Sequence, residues 1–508
     1  MRLLFALVFI CIASTGFSQK LKFKIDGLED TTVHLIRYFG KGLFYADTAV
    51  TKNGIAEFDG SKQKSGILAL FLPGQKMLEF IYNDEDVSIE AALPDLMGSA
   101  KVKKSEENKV FHAYVKYMNS QRIEANRIVE QRKGHTEGSE QYKKLTDQII
   151  QTTENVVAYQ QAIVENHSDK LVSRIVKMSM DVEIPDPPRN EAGDIIDSNF
   201  KFFYFRKHYF DNIDLTDDRL VRTPIYHSKM KQYFSKNMMI QHWDTILYYA
   251  FDLCDRFNPK SEMFQYTVSW ITSTYEKSKI MGMDKVFVMM GDKYFCPRDE
   301  NGKSQAHWMK EENLKTLCDK VEANINLVIG AQPPNIRLRD TTDVTWKGFY
   351  SLDAEYTILY FWDPNCGHCK KITPKLQTLY EKKFRERNIE IFAVGKAIGE
   401  EFVKWKEYIH ENNLEFINVA LTDKLFTEAT ADARKFIPKH TTLESLNYQQ
   451  TYDIYATPKV FILDKDKKII AKSLSISQLE DLLDRLQKMP NAEKLFPPEE
   501  DPEEEQMH

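Results

Sequence analysis

A short apolar run that leads directly into two cysteines is the feature that most constrains this chain. Residues 356–362, YTILYFW, are aromatic and β-branched, which is typical of a buried strand, and the run ends at Asp363-Pro364. Cys366 and Cys369 follow and open a segment whose apolar residues recur at helical spacing. A cysteine at a helix N-terminus lies near unpaired backbone N–H groups, which favour its thiolate over its thiol. Because two residues separate the cysteines, a disulfide can close between them, and we predict a redox pair.

Length and composition indicate a multidomain protein of ordinary globular character. The chain has 508 residues, which is too long for one core and suggests about three domains. The net charge is −6, and the last twelve residues alone contain six acids and no Lys or Arg. Because the rest of the chain is close to neutral, it has no basic field to attract nucleic acid. We expect the acidic tail, residues 491–508, to be disordered.

The first 18 residues predict export from the cytoplasm. They carry Arg2, an apolar run, and small residues where a signal peptidase cleaves, so the mature chain is expected to begin at Gln19. The apolar run is too short to span a bilayer, which argues against a membrane anchor. Ile10 precedes Cys11 where a lipoprotein signal needs a small residue. We therefore expect a soluble protein of the periplasm.

The cysteines that remain after Cys11 are too few for a disulfide scaffold in an exported chain of this size. They are Cys254, Cys296, Cys318, Cys366 and Cys369. If the last two pair with each other, one of the other three must stay unpaired, and the sequence leaves their pairing open. Cys254 lies on an apolar helical pattern, so we expect it to be a buried small side chain.

Residues 19–100 are predicted to form a β-rich module. Short apolar runs bounded by turn residues recur along this region, and Asn53-Gly54 between two of them is a good hairpin signal. Strands at this spacing indicate a small sandwich or a curled antiparallel sheet. A structural or docking role is the expected one. The predicted strands are KLKFKI, TVHLIRYF, LFYADTAV, IAEF, GILALFL, MLEFIYN and VSIEAAL.

Residues 101–328 are predicted to be mainly helical. Long helices are expected over residues 105–133 and 139–167. The aromatic cluster at residues 202–205 is more typical of core packing than of a ligand platform. The histidines of this region do not match a metal-ligand spacing, so no metal site is expected. Further helical patterns lie around residues 228–237, 244–257, 261–280 and 312–325.

In residues 329–490 the predicted strands alternate with helices, which indicates a sheet covered on both faces. The last helix is expected to begin near Ser475, with Gln478 placed for a capping box. The predicted order is strand 356–362, helix 367–384, strand 389–395, helix 399–412, strand 416–420, and a hairpin from 460–463 and 468–471.

This region also carries a set of longer motifs. They are the segment IGAQPPNIRLRD, the run LYFWDPNCGHCKK, Pro374 five residues past Cys369, and the segment YATPKVFILDKDKKII. Through these motifs, residues 330 to 488 resemble a thioredoxin-fold domain of the TlpA/ResA-like class of exported thiol–disulfide oxidoreductases. The upstream layout resembles multidomain exported thioredoxin-like proteins, in which a β-rich and a helical module precede the redox domain.

The resemblance implies a fold and a set of partners. The expected fold is an N-terminal all-β sandwich-like module, a middle mainly α-helical module and a C-terminal α/β thioredoxin fold. No cofactor is implied. The implied partners are protein thiols and disulfides of the periplasm, together with a membrane-side redox protein.

The same resemblance assigns the redox chemistry to particular residues. Cys366 matches the exposed attacking thiol of the family and Cys369 its buried resolving thiol, so Cys369 is expected to resolve a mixed disulfide formed at Cys366. His368 lies between them, where an imidazolium can further stabilise the Cys366 thiolate. Pro458 matches the family's cis-proline, which lies against the active-site disulfide. The backbone of Thr457 is expected to face an incoming peptide.

Two residues shortly before the first cysteine complete the expected site, and three other residues of this region depart from the family pattern. Trp362 and Pro364 are expected to contact the substrate. Tyr360 stands where thioredoxins carry a buried acid, and Ile372 where ResA-like proteins carry a glutamate. Asn365 replaces a tryptophan that often precedes the first cysteine. These departures leave the deprotonation of the second cysteine and the direction of electron flow open.

Other uses of a CxxC motif fit this sequence less well. Structural zinc needs four ligands, and no second ligand pair is nearby. Haem attachment needs a histidine where Lys370 stands. A peroxidase of the peroxiredoxin kind needs Thr or Ser where Asp363 stands. We therefore expect an enzyme that exchanges disulfides with protein substrates. The alternative is an envelope interaction or adaptor protein whose thioredoxin domain is vestigial or sensory.

Overall fold

The computed structural model describes residues 19–497, so the signal peptide predicted over residues 1–18 lies outside the described part of the chain. The described chain forms two compact units. The first comprises residues 19–240 with 252–267, and the second comprises residues 241–251 with 268–497. Within residues 19–497, no helix combines the length and the apolar composition that crossing a membrane requires.

The strands predicted for the N-terminal module are all present, and they form a two-sheet sandwich. The elements are β1 (Lys20–Asp26), β2 (Thr32–Phe39), β3 (Gly42–Val50), β4 (Ile55–Asp59), β5 (Gly66–Leu72), β6 (Lys76–Tyr82), β7 (Val87–Ala92), the short helix α1 (Leu96–Ser99) and β8 (Lys101–Lys104). The two sheets have the orders β4-β1-β7-β8 and β3-β2-β5-β6. Alternate residues of β1 and β7 are buried, and the apolar sides of both sheets share one core.

Two expectations about this module need correction. The sandwich is not purely antiparallel, because β1 and β7 pair in parallel. The β structure also continues past residue 100, because β8 pairs with the otherwise open edge of β7 and ends at Lys104.

The middle region is helical, as predicted. Its helices are α2 (Glu106–Lys133), α3 (Glu140–Asn166), α4 (Leu171–Ser179), α5 (Phe200–His208), α6 (Pro224–Tyr233), α7 (Trp243–Cys254), α8 (Glu262–Glu276), α9 (Asp284–Tyr294) and α10 (Glu311–Asn324). Ser105 and Ser139 cap the two long predicted helices, because each side chain accepts a hydrogen bond from a backbone N–H of the first turn. The predictions for α2 and α3 are therefore confirmed.

The expected core packing of the aromatic cluster in α5 is wrong for two of its residues. Phe202 is 41 % exposed and Phe203 is 47 % exposed. Four consecutive residues encircle a full helical turn, so a helix that packs on one side must leave some of them outside. The guanidinium of Arg206 lies over both rings, at 5.4 and 5.2 Å from their centroids.

The C-terminal region holds one seven-stranded sheet with helices on both faces. Its elements are β9 (Arg337–Asp340), β10 (Trp346–Gly348), β11 (Tyr356–Trp362), α11 (Gly367–Leu379), β12 (Ile389–Ala397), α12 (Glu401–Glu411), β13 (Ile417–Thr422), α13 (Asp423–Asp432), α14 (Leu443–Leu446), α15 (Tyr448–Thr451), β14 (Lys459–Leu463), β15 (Ile469–Lys472) and α16 (Ile476–Leu486). The strand order is β10-β9-β13-β12-β11-β14-β15, with β11, β12 and β13 parallel.

The strand that leads to the cysteines lies inside this sheet. β11 pairs in parallel with β12 on one side and antiparallel with β14 on the other. Its residues alternate between two apolar cores, one on each face of the sheet. The structure also confirms the capping box of α16, in which Ser475 and Gln478 bond to each other's backbone N–H. The sheet thus holds the end of β11 in a fixed position.

The disorder expected for residues 491–508 is wrong for the part that the structure describes. Leu495 and Phe496 pack against the core beside α16. Their backbone N–H groups donate to the buried carboxylate of Glu480 at 2.9 and 3.2 Å. These contacts hold residues 491–497, while the rest of the acidic tail lies outside the described residues.

Two of the three middle cysteines form a disulfide, and the third is a buried thiol. Cys296 and Cys318 form a disulfide with their Cα atoms 5.5 Å apart. Cys254 is fully buried, which confirms the expectation of a small buried side chain.

Candidate active site

The turn between β11 and α11 presents the first cysteine at a helix N-terminus. Cys366 is the N-cap residue of α11, and its N–H donates to the carbonyl of Asp363 at 3.0 Å. The carboxylate of Asp363 accepts the N–H of Asn365 at 2.7 Å and lies 3.5 Å from the Lys396 ammonium. No side chain caps α11, so the N–H groups of its first turn point toward the cysteines.

This placement favours the thiolate of Cys366. Burial tends to raise the pKa of the Cys366 thiol, although the residue is partly exposed. Backbone N–H groups of Cys369 and His368, together with the Thr457 side chain, outweigh burial and bring the pKa of this thiol below its usual range. In the protonated state, the Cys366 thiol donates to the carbonyl of Thr457 at 3.2 Å. The first cysteine therefore has the character of an accessible nucleophile.

The second cysteine has the opposite character. Cys369 is 1 % exposed and packs with the core under α11. Burial is the main reason that its pKa is raised to about 11, and the nearby Cys366 adds to the effect. Both cysteines are thiols in this structure. One thiol is accessible and acidic while the other is buried and weakly acidic, which is the asymmetry that sequential disulfide exchange needs.

A cis-proline loop forms the opposite side of the site. The Thr457–Pro458 peptide is cis, and both residues are half-buried at the start of β14. The ammonium of Lys459 holds the preceding segment by donating to the carbonyls of Tyr452 and Asp453 at 2.9 and 2.7 Å. Hydrogen bonding by the Thr457 side chain acts to lower the pKa of both cysteines. The cis geometry expected for Pro458 is therefore observed.

A cavity of about 170 Å³ opens beside this loop. Asp363 and Lys396 line one part of it, and Tyr448, Tyr455 and Thr457 line another. Tyr455 is 89 % exposed. The cavity adjoins the accessible Cys366 thiol through Thr457, whose carbonyl accepts from that thiol, and its exposed aromatic ring and charged pair form a surface that can receive a polypeptide segment.

The other predicted site residues lie in different surroundings from those expected. The ring of Trp362 is 1 % exposed and packs between Tyr360 and Tyr408, although Trp362 is also among the residues that line the cavity beside the cis-proline loop. Pro364 is also buried. Inward-facing residues of a central strand belong to the core, which is the physical reason that the Trp362 ring is buried, and its contact with a substrate stays a prediction.

His368 is exposed, and among residues 19–497 its ring makes no hydrogen bond or ion pair. Its effect on Cys366 comes through its backbone N–H. The role expected for its imidazolium stays a prediction.

Sequence reasoning missed a group of hydroxyls around the second cysteine. Tyr360 and Thr373 are fully buried, and their hydroxyl oxygens are 2.6 Å apart. Thr373 lies four residues after Cys369 and donates to its carbonyl at 2.8 Å. That helical spacing was a readable signal, whereas the approach of Tyr408 from α12 had none in the sequence.

Comparison with known proteins finds likeness in two parts of the chain, one of which contains the two cysteines. A family model described as "Thioredoxin-like" matches residues 353–469. A model described as "Domain of unknown function (DUF4369)" matches residues 20–111. The thiol-disulfide oxidoreductase ResA of Bacillus cereus is 28 % identical over 163 residues, which cover 32 % of this chain and 78 % of that protein.

Two solved structures are also similar. A domain of a possible thiol-disulfide isomerase from Cytophaga hutchinsonii is 35 % identical, covers 32 % of this chain with 97 % of its own, and gives a TM-score of 0.26. A thioredoxin-like protein from Bacteroides caccae is 18 % identical, covers 59 % of this chain with 97 % of its own, and gives a TM-score of 0.32.

Proposed function

We propose that this protein exchanges disulfides with protein substrates through Cys366 and Cys369, a proposal supported by the thioredoxin-like family model over residues 353–469 and by the likeness to a thiol-disulfide oxidoreductase. The observation that carries the proposal is the contrast between the two thiols. Cys366 is partly exposed at a helix N-terminus with a lowered pKa, and Cys369 is buried beneath it with a pKa of about 11. A cysteine pair with a purely structural role would not require one accessible thiol with a lowered pKa and one buried thiol with a raised pKa.

The reaction has two steps. The Cys366 thiolate attacks a substrate disulfide, which forms a mixed disulfide and releases one substrate thiolate. Cys369 then attacks the sulfur of Cys366, which closes the Cys366–Cys369 disulfide and releases the second substrate thiolate. The substrate gains two electrons and the cysteine pair loses two. The reverse sequence oxidises a substrate dithiol, and the potential of the pair sets the direction.

The chain's own residues support each step. Backbone N–H groups of α11 stabilise the attacking thiolate of Cys366. The Thr457 carbonyl lies against that sulfur on the cis-proline loop, where an extended peptide can lie against the backbone, and Tyr455 lines the cavity beside the same loop. We propose further that the protein is exported and works in the periplasm on protein thiols and disulfides, which rests on residues 1–18.

The proposal is tested with the chain from Gln19 and a disulfide-bonded protein as substrate. We expect substrate reduction, in the presence of a dithiol reductant, to depend on Cys366 and to be lost in C366A. The matched control is the double variant C296S/C318S, which removes the other disulfide and should keep the activity. Activity that survives in C366A, or that the control variant also loses, contradicts the proposal. Circular dichroism verifies that each variant is folded.

A further inference from the structure

Three hydroxyl groups lie beside the second cysteine in an otherwise apolar core. Tyr360 of β11 and Thr373 of α11 are 0 % exposed, and Tyr408 of α12 is half-buried. Burying a hydroxyl group costs free energy unless it is hydrogen-bonded, and a phenylalanine or valine would pack equally well at such positions. The two-step exchange described above gives these hydroxyls no role.

The hydrogen bonds in this cluster have a defined direction. The single proton of the Thr373 hydroxyl goes to the carbonyl of Cys369, at 2.8 Å. Its oxygen must therefore accept from Tyr360, whose hydroxyl lies 2.6 Å away. Tyr360 thus donates to Thr373 while the lone pairs of its own oxygen remain available to the Cys369 thiol.

The tyrosine hydroxyls are suited to donate protons in hydrogen bonds and not to remove them. Burial, and after it the proximity of Cys369, holds the pKa of Tyr360 well above its usual range, although the Thr373 hydrogen bond opposes this. Burial and Cys369 raise the pKa of Tyr408 as well, although a hydrogen bond with Thr373 opposes this. Both phenols therefore stay protonated at neutral pH, and a protonated phenol next to a sulfur can stabilise a thiolate.

We propose that Tyr360 is the hydrogen-bond donor that stabilises the Cys369 thiolate when it attacks the mixed disulfide. In the resting protein the Tyr360 hydroxyl donates its hydrogen bond to the Thr373 oxygen. When Cys369 loses its proton, the hydroxyl of Tyr360 turns from Thr373 toward the sulfur. The Cys369–Cys366 bond forms, the bond from Cys366 to the substrate breaks, and the leaving substrate sulfur takes up the proton that Cys369 lost. The inference rests on the proposed function, because it concerns the second step of that reaction.

Several polar groups face Cys369, and hydrogen bonds from the Asp363 backbone and the Thr457 side chain act to lower its pKa. Cys366 and Thr457 approach from the loops, the backbone of Asp363 from the turn, and Tyr360 and Tyr408 from β11 and α12. Within residues 19–497, no carboxylate oxygen forms a hydrogen bond with Cys369 or with these hydroxyls. The pH dependence of the second step should therefore follow the ionisation of Cys369 itself.

Replacement of Tyr360 by Phe should slow the second step by a calculable factor. Loss of a hydrogen bond to a charged group should lower the thiolate fraction by roughly tenfold to a hundredfold. A less acidic thiol gives a more nucleophilic thiolate, with a Brønsted coefficient of about 0.4–0.5, which returns about half of that loss on a logarithmic scale. The expected net effect of Y360F is a fall of about threefold to tenfold in the second step.

The two steps can be followed separately with one chromogenic probe. An equivalent of 5,5′-dithiobis(2-nitrobenzoate) reacts with the reduced pair, and attack by Cys366 releases the first thionitrobenzoate. Attack by Cys369 on the mixed disulfide then releases the second. The release rates are measured by stopped flow after jumps to pH 7–11, with each protein's thermal unfolding recorded.

We expect Y360F to keep the first rate and to slow the second. The second rate in the unchanged protein should begin to level as the pH approaches the Cys369 pKa of about 11, while in Y360F it should keep rising. The matched control is Y380F, because Tyr380 is also buried and donates to Glu390 at 3.0 Å, away from the cysteines. That control should leave both rates and the pH profile unchanged.

A second variant keeps the inference testable if Y360F does not fold. T373V removes the resting partner of the phenol, so the second release should be at least as fast as in the unchanged protein. Equal second rates in Y360F and the unchanged protein, or a T373V protein slowed as Y360F is expected to be, would overturn the inference. Failure of the unchanged protein to release the second thionitrobenzoate would instead overturn the proposed function itself.

Discussion

Removal of the Cys296–Cys318 disulfide should destabilise the protein by a predictable amount. Cys296 follows the end of α9 and Cys318 lies within α10, with a sequence separation of 22 residues. The cross-link lies beside a small apolar cluster from the same two helices and the segment after them. In C296S/C318S these contacts can persist in the folded state, so the main change is in the unfolded chain.

The magnitude follows from the size of the closed loop. A cross-link restricts the unfolded chain by an entropy that grows with the logarithm of the number of residues enclosed. For the 22-residue separation, this relation gives about 3 kcal/mol at room temperature. We therefore expect the free energy of unfolding of C296S/C318S to be about 3 kcal/mol lower than that of the oxidised protein.

Urea unfolding, followed by circular dichroism without reductant, measures this difference. The midpoint of the double variant should fall, and that of the unchanged protein should fall similarly after full reduction. Both proteins also carry C366S, so that the Cys366–Cys369 pair adds no second cross-link to the oxidised samples. A double variant with the midpoint of the oxidised protein would refute the reasoning, since the cross-link would then not restrict the unfolded chain.

Two further predictions concern titratable groups. Alkylation of Cys366 by iodoacetamide in the reduced, unchanged protein, assigned to Cys366 by tandem mass spectrometry, should rise with pH to a midpoint below the usual thiol pKa of 9.0. Burial raises this pKa, but helix N–H groups, Thr457 and the Cys369 side chain outweigh it, and a midpoint at or above 9.0 contradicts this. Asp484 is buried, which tends to raise its pKa, but Lys494, Arg387 and Lys383 hold its pKa below 3.8. The stabilising contribution of the Asp484 carboxylate is therefore present above pH 3.8 and is lost as the pH falls through its lower pKa in the folded protein. D484N should lower the melting temperature at neutral pH, and its melting temperature should fall less on acidification than that of the unchanged protein. If the melting temperatures of D484N and the unchanged protein change in parallel between pH 7 and pH 2, this prediction is contradicted.

The elements with strong local signals were predictable from the sequence. The run of residues 356–362 gave β11 its full extent because a central strand is apolar on both faces. Ser105, Ser139 and Ser475 marked three helix starts because a serine side chain satisfies a backbone N–H of the first turn. The position of Cys366 at a helix N-terminus followed from the same local reasoning.

The remaining features depend on contacts between distant parts of the chain. β10, only three residues long, forms because it pairs with β9 along the sheet edge, and its own sequence has no clear strand period. The acidic composition after residue 491 predicted disorder, although Leu495 and Phe496 are ordered because their backbone N–H groups donate to Glu480 of α16. The pairing of Cys296 with Cys318 required the packing of α9 on α10, which sequence alone does not give.

The site followed the same division. The CxxC spacing and the Thr-Pro motif were visible in the sequence, and the cis geometry of Pro458 is observed. The hydroxyl cluster at Tyr360 and Thr373 was not visible as a unit, because it joins a strand to a helix across the core. Trp362 was expected to contact the substrate from its position beside the motif, but strand alternation directs its ring inward.

A redox titration of the chain from Gln19 tests the central claim most directly. The protein is equilibrated in dithiol–disulfide buffers of graded potential, and the Cys366–Cys369 pair is read by thiol alkylation and mass spectrometry, with C366A as the control. We expect one two-electron transition for this pair, absent from C366A. A midpoint near about −270 mV would place the pair with reducing thioredoxins, and one near about −120 mV with strong oxidants. If the two thiols stay reduced at every potential, the pair forms no disulfide and the proposed exchange reaction is contradicted.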